Sequence, residues 1–116
     1  RQRAWIAMTI CQEPEILILD EPTTYLDISY QVEVLELIRK LNRELGITII
    51  MVLHDLNLAA RYSDLLFAIR NGAVYAGGES SHVLTEKNLE EIFEIEATVF
   101  EDTINHCPYF IPINTI

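Results

Sequence analysis

Ile16-Leu17-Ile18-Leu19-Asp20-Glu21-Pro22 is the stretch from which the fold class can be read. Four apolar residues run without interruption into two carboxylates and a proline. A short continuous apolar run of this kind is typical of a parallel strand that is buried on both faces. In α/β proteins, the carboxyl ends of such strands form the edge at which ligands bind. The stretch therefore predicts a strand over 15–19 that delivers Asp20 and Glu21 to a ligand-binding edge.

The residues after this strand predict a loop and a long helix. A loop over 20–28 leads to a helix over 29–45, in which apolar residues recur at steps of three and four. Asp27 or Ser29 is suited to cap the start of this helix, and Gly46 is suited to end it.

The run 47–53 is apolar and rich in β-branched residues, which predicts a second buried strand. A strand, a helix and a strand in this order predict a right-handed parallel crossover, so the fold class is α/β. Asn71-Gly72 is a strong two-residue turn signal and predicts a hairpin between strands over 65–70 and 73–76. The remaining predicted elements are helices over 3–12, 56–62, 80–84 and 86–95 and strand-like pieces near 98–101 and 109–113.

Size, charge and cysteine content limit the function classes. The 116 residues suffice for one small domain, and 50% of them are apolar, so a packed core is expected. The net charge of −10 argues against a nucleic-acid partner and against direct binding to an anionic membrane, because both need a surplus of Lys and Arg. The two cysteines lie far apart, so no disulfide framework is expected and a reducing cytoplasm is the default.

Asp20 and Glu21 are the first candidates for chemistry. One carboxylate at a strand end can hold magnesium, and a second beside it can polarise an attacking water as a general base. A solvated strand end is the alternative interpretation. His54 ends the second strand on the same edge and can donate a hydrogen bond to a phosphate oxygen, although a lone histidine is more often structural. Asp27 is interpreted as a helix cap or as a contact to a partner.

The order of these motifs resembles the second half of the nucleotide-binding domain of ABC transporters. The run 16–20 is similar to the Walker B strand, with Asp20 on the magnesium side, and Glu21 stands where the family has its catalytic glutamate. Thr24-Tyr25-Leu26-Asp27 resembles the D-loop, although it departs from the usual Ser-Ala-Leu-Asp at its first two residues. His54 stands at the place of the switch histidine that contacts the γ-phosphate.

The resemblance implies a partial domain of the P-loop NTPase-like, ABC ATPase fold, with a mostly parallel sheet, flanking helices and a C-terminal β-hairpin. Residues 1–116 are expected to be the C-terminal portion of one such domain, because Arg1-Gln2-Arg3-Ala4 resembles the segment just after the signature pentapeptide. The Walker A pattern Gly-x-x-x-x-Gly-Lys-Ser/Thr does not occur in the sequence, and the glutamine loop is expected upstream as well. The chain alone is therefore expected neither to bind ATP tightly nor to hydrolyse it.

For the intact protein, the resemblance implies an ATP-hydrolysing importer subunit on the cytoplasmic face of the cell membrane. Glu21 and His54 are its expected catalytic residues, Asp20 and Asp27 are expected to contact the bound nucleotide, and Asp20 is expected to hold magnesium. ATP and magnesium are the implied cofactors. The implied partners are transmembrane permease subunits, a second copy of the ATPase and, indirectly, a periplasmic or lipoprotein substrate-binding protein.

The segments 22–28, 92–97 and 107–113 resemble those of importers of iron–siderophore complexes, haem and cobalamin. Amino-acid and zinc importers share much of this pattern and stay open as alternatives, as does a soluble ABC ATPase. A phosphoacceptor receiver domain also ends its strands in carboxylates, but Asp20-Glu21 followed by His54 does not supply its residue set. A non-catalytic interaction fragment is the alternative of a different class.

Overall fold

The computed structural model describes residues 15–116, so the helix expected over 3–12 lies outside the described residues. The fold is α/β, as the sequence predicts. In chain order the described elements are β1 (Ile16–Asp20), α1 (Ile28–Leu45), β2 (Thr48–Val52), α2 (Leu56–Tyr62), β3 (Leu66–Arg70), β4 (Ala73–Gly78), α3 (Ser80–Val83), α4 (Glu86–Phe93), β5 (Ile95–Asp102) and β6 (Cys107–Thr115). They fall into two compact units, which meet in the chain between His54 and Asp55. No helix among residues 15–116 is long and apolar enough to cross a membrane.

The first unit contains the predicted strand–helix–strand crossover. β1 pairs with β2 in parallel, in a register that places Leu17 opposite Ile49 and Asp20 opposite Val52. The two strands end together, and the Glu21 N–H donates to the Val52 carbonyl at 2.9 Å, which extends the pairing by one step. The polar residues that follow β1 and β2 therefore start from the same edge.

Helix α1 ends as the sequence predicts. Gly46 adopts the left-handed conformation at φ 68°, and its N–H donates to the Asn42 carbonyl at 3.1 Å. This conformation is natural for glycine and costly for residues with a Cβ. The apolar stripe of the helix is buried and consists of Val34, Leu35, Ile38 and Leu41.

The expectation that β1 is buried on both faces is wrong. Leu17 and Leu19 are 3% and 1% exposed, whereas Ile16 and Ile18 are 57% and 67% exposed. Successive side chains of a strand point to opposite faces, so an uncovered face leaves every second residue in solvent. The register partner of Ile18 on β2 is also apolar and exposed, since Ile50 is 53% exposed.

The second unit contains two antiparallel hairpins and three helices among its described residues. The predicted turn at Asn71-Gly72 is confirmed, with positive φ at both residues (53° and 76°), as a type I′ turn requires. β4 runs to Gly78, two residues further than predicted, because Gly77 pairs with Phe67 and leaves room for its ring. A Cβ on Gly77 would lie 2.7 Å from Phe67 Cδ1.

The core of the second unit joins α2, α4 and the C-terminal hairpin β5–β6. Its buried centre consists of Ala60, Leu84, Leu89 and Ala97, and partly buried apolar residues from both hairpins pack around it. Two side chains cap the helices at their starts. Asp55 accepts a hydrogen bond from the Leu58 N–H at 3.1 Å, and Thr85 accepts one from the Asn88 N–H at 3.1 Å. The first of these caps confirms the predicted start of α2.

Candidate active site at the ends of β1 and β2

Asp20 is the last residue of β1 and continues the exposed row of that strand. The alternation that buries Leu17 and Leu19 places Asp20 on the opposite face, with Ile16 and Ile18. Its carboxylate makes no hydrogen bond or ion pair with another residue of the described range 15–116. Asp20 therefore lies exposed at the strand end, and its carboxylate has no partner among residues 15–116.

Glu21 turns the chain from the strand into the following loop. Its φ of 50° lies in the left-handed region, which costs a residue other than glycine about 1–3 kcal/mol. Two backbone hydrogen bonds hold this conformation. The Glu21 N–H donates to the Val52 carbonyl at 2.9 Å, and the Thr24 N–H donates to the Glu21 carbonyl at 3.2 Å. Because of this turn, the Glu21 side chain does not follow the alternating side-chain directions of β1.

The Glu21 carboxylate contacts His54, the second residue after β2. Its Oε1 atom contacts Nε2 of the imidazole. The side chain of Glu21 is 32% exposed and that of His54 is 80% exposed, so both remain accessible to a ligand from solvent. Two residues that are 33 positions apart in the sequence thus meet because β1 and β2 are parallel neighbours.

The other carboxylate oxygen of Glu21 is held by the loop that follows. The Thr24 hydroxyl donates to Glu21 Oε2 at 3.0 Å. The loop is anchored by the burial of Pro22 and Thr23 and by Gln31, whose side-chain amide donates to the carbonyls of Leu26 at 3.1 Å and Thr23 at 3.5 Å. Helix α1 therefore supports the loop that orients the Glu21 carboxylate.

Asp27 occupies the N-cap position of α1, but its side chain does not cap the helix. The Asp27 carbonyl accepts from the Gln31 N–H at 2.9 Å, whereas its carboxylate makes no capping hydrogen bond. The expectation that this side chain serves as a cap is therefore wrong. Because Asp27 is exposed, its carboxylate remains available to another ligand or partner.

The structure brings two of the four predicted site residues into contact. Glu21 and His54 meet directly, while Asp20 and Asp27 stand near the same loop in sequence without a hydrogen bond to either. Thr24 and Gln31 were not singled out from the sequence. No sequence signal marks Thr24 as the donor to Glu21, because that contact depends on the left-handed turn at Glu21.

The arrangement is suited to activating a water molecule. A carboxylate oxygen has more than one lone pair, so Glu21 can accept a hydrogen bond from water while it keeps its contacts with His54 and Thr24. The imidazole can also donate a hydrogen bond to an anionic oxygen when it carries a proton. Residues 15–116 contain no group of three or more His, Cys, Asp or Glu side chains that could hold a metal ion.

Sequence comparison relates the chain to a group of transport ATP-binding proteins. It is 49% identical over 112 residues to the achromobactin transport ATP-binding protein of Dickeya dadantii. It is 46% identical over 113 residues to the ferric enterobactin transport ATP-binding protein of Escherichia coli. In both cases, the match covers 97% of this chain. The chain belongs to the ABC transporter ATP-binding proteins.

The chain spans 42% of the length of each of these two relatives. The iron(3+)-hydroxamate import ATP-binding protein of Bacillus subtilis is 45% identical over 116 residues, and the match covers 43% of its length. No protein-family model matches the chain. The family is thus recognised because nearly all of this chain aligns with a part of each relative.

Solved structures show the same fold. A metal-chelate type ABC transporter in an inward-facing conformation matches 97% of this ABC protein chain with a TM-score of 0.85 and 26% identity, and the match covers 46% of that chain. A dimeric ATP-binding cassette bound to ADP and inorganic phosphate matches 67% of this chain with a TM-score of 0.61 and 33% identity. The match covers 33% of the cassette chain. The fold class expected from the sequence, a partial ABC ATPase domain, is confirmed.

Proposed function

We propose that this chain supplies the water-activating part of the ATP-hydrolysing site in an ABC importer. The contact between the Glu21 carboxylate and His54 at the shared end of β1 and β2 carries the proposal. The relatives that support it transport achromobactin, ferric enterobactin and iron(3+)-hydroxamates, so an iron–siderophore complex is the proposed cargo.

Glu21 is the proposed general base for hydrolysis. Its carboxylate orients a water for in-line attack on the γ-phosphate and accepts a proton from it as the new oxygen–phosphorus bond forms. The Thr24 hydroxyl and His54 fix the carboxylate on its two oxygens, which reduces the cost of orienting it in the transition state. His54 is also proposed to donate a hydrogen bond from its imidazole to a γ-phosphate oxygen, which would stabilise the developing charge.

Asp20 is the proposed residue for magnesium. Its exposed carboxylate, free of protein hydrogen bonds within the described residues, fits an ion that is commonly held by one or two carboxylates, waters and substrate phosphates. Bound magnesium supplies charge neutralisation for the phosphate oxygens. The donor set of this chain is thus compatible with magnesium as part of a site that the nucleotide completes.

The phosphate-binding part of the site is proposed to lie in another part of the full-length protein. The sequence of 116 residues contains no Walker A pattern, and the relatives are more than twice as long as the matched segment. Residues 1–116 are therefore proposed to be the C-terminal portion of one nucleotide-binding domain. The exposed carboxylate of Asp27, which does not cap α1, is proposed to link two ATP sites across a dimer.

The proposed assembly is a pair of ATPase subunits on the cytoplasmic face of the membrane. Solved relatives of this fold include a dimeric ATP-binding cassette, which supports a second copy as a partner. Transmembrane permease subunits are the proposed site of coupling, and a periplasmic or lipoprotein substrate-binding protein acts indirectly by delivering cargo. Closure of the ATPase pair on ATP and its reopening after hydrolysis would then drive the permease.

Replacement of the proposed base tests this function in the full-length protein. Glu21→Gln keeps the size of the side chain and removes its basicity, so ATP turnover should fall by at least about 100-fold while ATP binding persists. ATP hydrolysis by phosphate release and ATP affinity by equilibrium titration are the two measurements.

Glu15→Gln is the matched control for this substitution. Glu15 is an exposed glutamate just before the opposite end of β1, and it should tolerate the change with turnover close to that of the unaltered protein. Undiminished turnover in Glu21→Gln would reject the role assigned to Glu21. Equal losses in the two variants would also reject it, because charge removal anywhere on the strand would then explain the effect.

A further inference from the structure

The loop between β1 and α1 contains two residues with a strained backbone. Glu21 and Tyr25 adopt positive φ angles of 50° and 64°, in a region that costs a residue other than glycine about 1–3 kcal/mol. Such conformations persist only where the surrounding structure holds them. The Tyr25 side chain is fully exposed, so packing of its ring does not fix this part of the loop. The loop therefore depends on restraints from its backbone and from neighbouring side chains.

Burial fixes the first part of this loop, and a backbone hydrogen bond closes the next part. Pro22 and Thr23 are buried and hold the chain where it leaves β1. The Leu26 N–H then donates to the Thr23 carbonyl at 3.3 Å, which closes a turn over residues 23–26 that we call the loop turn. The loop turn contains the exposed and strained part of the chain, so its closure matters for the conformation of the whole loop.

The Gln31 side chain of α1 bonds to both ends of the loop turn. Its amide nitrogen Nε2 carries two hydrogens, so it can donate to two acceptors. It donates to the Leu26 carbonyl at 3.1 Å and, over a longer distance of 3.5 Å, to the Thr23 carbonyl. The position of α1 is itself set by its buried apolar stripe. Gln31 therefore ties the loop turn to a helix that is packed in place.

Thr24 connects the loop turn to the Glu21 carboxylate. It is the second residue of the turn, its hydroxyl donates to Glu21 Oε2 at 3.0 Å, and its N–H donates to the Glu21 carbonyl at 3.2 Å. Each step from Gln31 to Glu21 is thus a direct contact between residues of the same compact unit. If the loop turn opens, the Thr24 hydroxyl loses its fixed place beside the carboxylate.

We propose that Gln31 is a positioning residue for hydrolysis, which acts on the Glu21 carboxylate through the loop turn and Thr24. Gln31 holds the turn closed, and the closed turn keeps the Thr24 hydroxyl against Glu21. A general base that is already held in place loses less orientational freedom in the transition state, so the rate depends on Gln31 although its amide bonds to the loop backbone. This inference rests on the proposed function of Glu21.

Gln31→Met and Asn42→Leu in the full-length protein separate positioning from a general loss of stability. Each replaces an amide side chain of α1 by an apolar one of similar size. Asn42 lies near the other end of the helix and donates to the Ile47 carbonyl at 2.8 Å, so both variants break a bond from a side-chain amide to the backbone. Neither should lower the melting temperature by more than about 6 °C. Gln31→Met alone should lower kcat for ATP, by about three-fold, with KM for ATP within about two-fold of the unaltered value.

Hydrogen exchange tests whether Gln31 holds the loop turn. The amides of residues 22–27, measured by mass spectrometry on the full-length protein without nucleotide, should exchange roughly five-fold faster in Gln31→Met than in the unaltered protein. Asn42→Leu should leave exchange in this segment unchanged. Equal exchange in Gln31→Met and the unaltered protein would overturn the inference, because the turn would then stay closed without the amide.

A double substitution tests whether the effect on the rate passes through Thr24. When Thr24→Ala is already present, adding Gln31→Met should lower kcat by less than about 1.5-fold, because the hydroxyl that the loop turn holds is gone. The same three-fold loss in both backgrounds would overturn the inference. So would equal kcat values for Gln31→Met and Asn42→Leu.

The failure of this inference can be told apart from failure of the proposed function. If the unaltered protein hydrolyses ATP and Glu21→Gln does not, the proposed function stands, and an unchanged kcat in Gln31→Met then rejects the positioning role alone. If Glu21→Gln hydrolyses ATP as the unaltered protein does, the proposed function itself is rejected.

Discussion

Glu21 shows how one residue can combine a strained backbone with an oriented side chain. It lies in the left-handed region at φ 50°, directly before Pro22, and the neighbouring strand and loop hold it there through hydrogen bonds. A regular strand residue at this position would continue the alternation of β1. The left-handed turn instead places the carboxylate between His54 and the Thr24 hydroxyl.

The Thr24 hydroxyl gives a prediction about the rate of ATP hydrolysis. Its hydrogen bond to Glu21 Oε2 orients the carboxylate, so Thr24→Ala in the full-length protein should lower kcat for ATP. Because the contact is partly exposed to solvent, we expect a loss of about 1 kcal/mol, or roughly five-fold in rate. Steady-state ATP hydrolysis is the measurement.

Thr24→Ser is the control for this prediction, since it keeps the hydroxyl and removes only a methyl group. It should retain most of the unaltered rate. A rate in Thr24→Ser as low as that in Thr24→Ala would show that the methyl group, and not the hydrogen bond, is what matters at this position.

The sequence predicts where the candidate site residues lie in the fold better than it predicts their contacts. Glu21 and His54 could be placed on one edge because each follows an apolar strand, and parallel strands bring their ends together. The contact with Thr24 depends on the left-handed turn at Glu21, and no propensity predicts that conformation for a glutamate. The side chain of Asp27 was expected to cap α1, yet its backbone alone takes part.

At the scale of elements, local chemistry decides where the helices and hairpins begin and end. Gly46 ends α1 and Asn71-Gly72 turns the first hairpin, both as predicted, and Asp55 caps α2 at its predicted start, because each signal acts within a few residues. Burial is less predictable from sequence. Ile16 and Ile18 have the composition of buried strand residues but lie on an exposed face, since burial depends on what packs over the strand.

The turn of the C-terminal hairpin is organised around the Asp102 carboxylate. The Asn105 side chain donates to Oδ2 at 2.8 Å, and the N–H groups of Asn105 and Ile104 donate to Oδ1 at 3.0 and 2.9 Å. These hydrogen bonds, that of the Asn105 side chain foremost, hold the pKa of Asp102 below its ordinary value. Because the pKa is lowered by folding, the stabilisation is present at neutral pH and is lost as the pH falls through the folded-state pKa.

Asn105→Ala should raise the pKa of Asp102 towards its ordinary value, since it removes the largest of these contributions. An NMR titration of the Asp102 carboxyl carbon measures the shift directly. Thr103→Ala, in the same turn, is the control and should leave the pKa where it is. An unchanged pKa in Asn105→Ala would contradict the account of this turn.

At the scale of the whole molecule, the chain carries one part of a site whose other part is proposed to lie elsewhere in the full-length protein. Asp20, Glu21 and His54 are the proposed magnesium and water side of this site, while the Walker A pattern does not occur in the sequence. The chain spans 42% of the length of relatives to which it is nearly half identical. Similarity to these relatives thus identifies the family, whereas the activity of the whole protein is proposed to depend also on residues beyond these 116.

A nucleotide titration tests most directly whether the nucleotide-holding groups lie outside these 116 residues. A fluorescent ATP analogue is titrated, with magnesium, into the 116-residue chain and into the full-length protein that carries it. The full-length protein should bind the analogue with a dissociation constant in the micromolar range, about −8 kcal/mol, and the chain alone should show no saturable binding at such concentrations. Micromolar binding by the chain alone would contradict the account, because the nucleotide-holding groups would then lie within these residues.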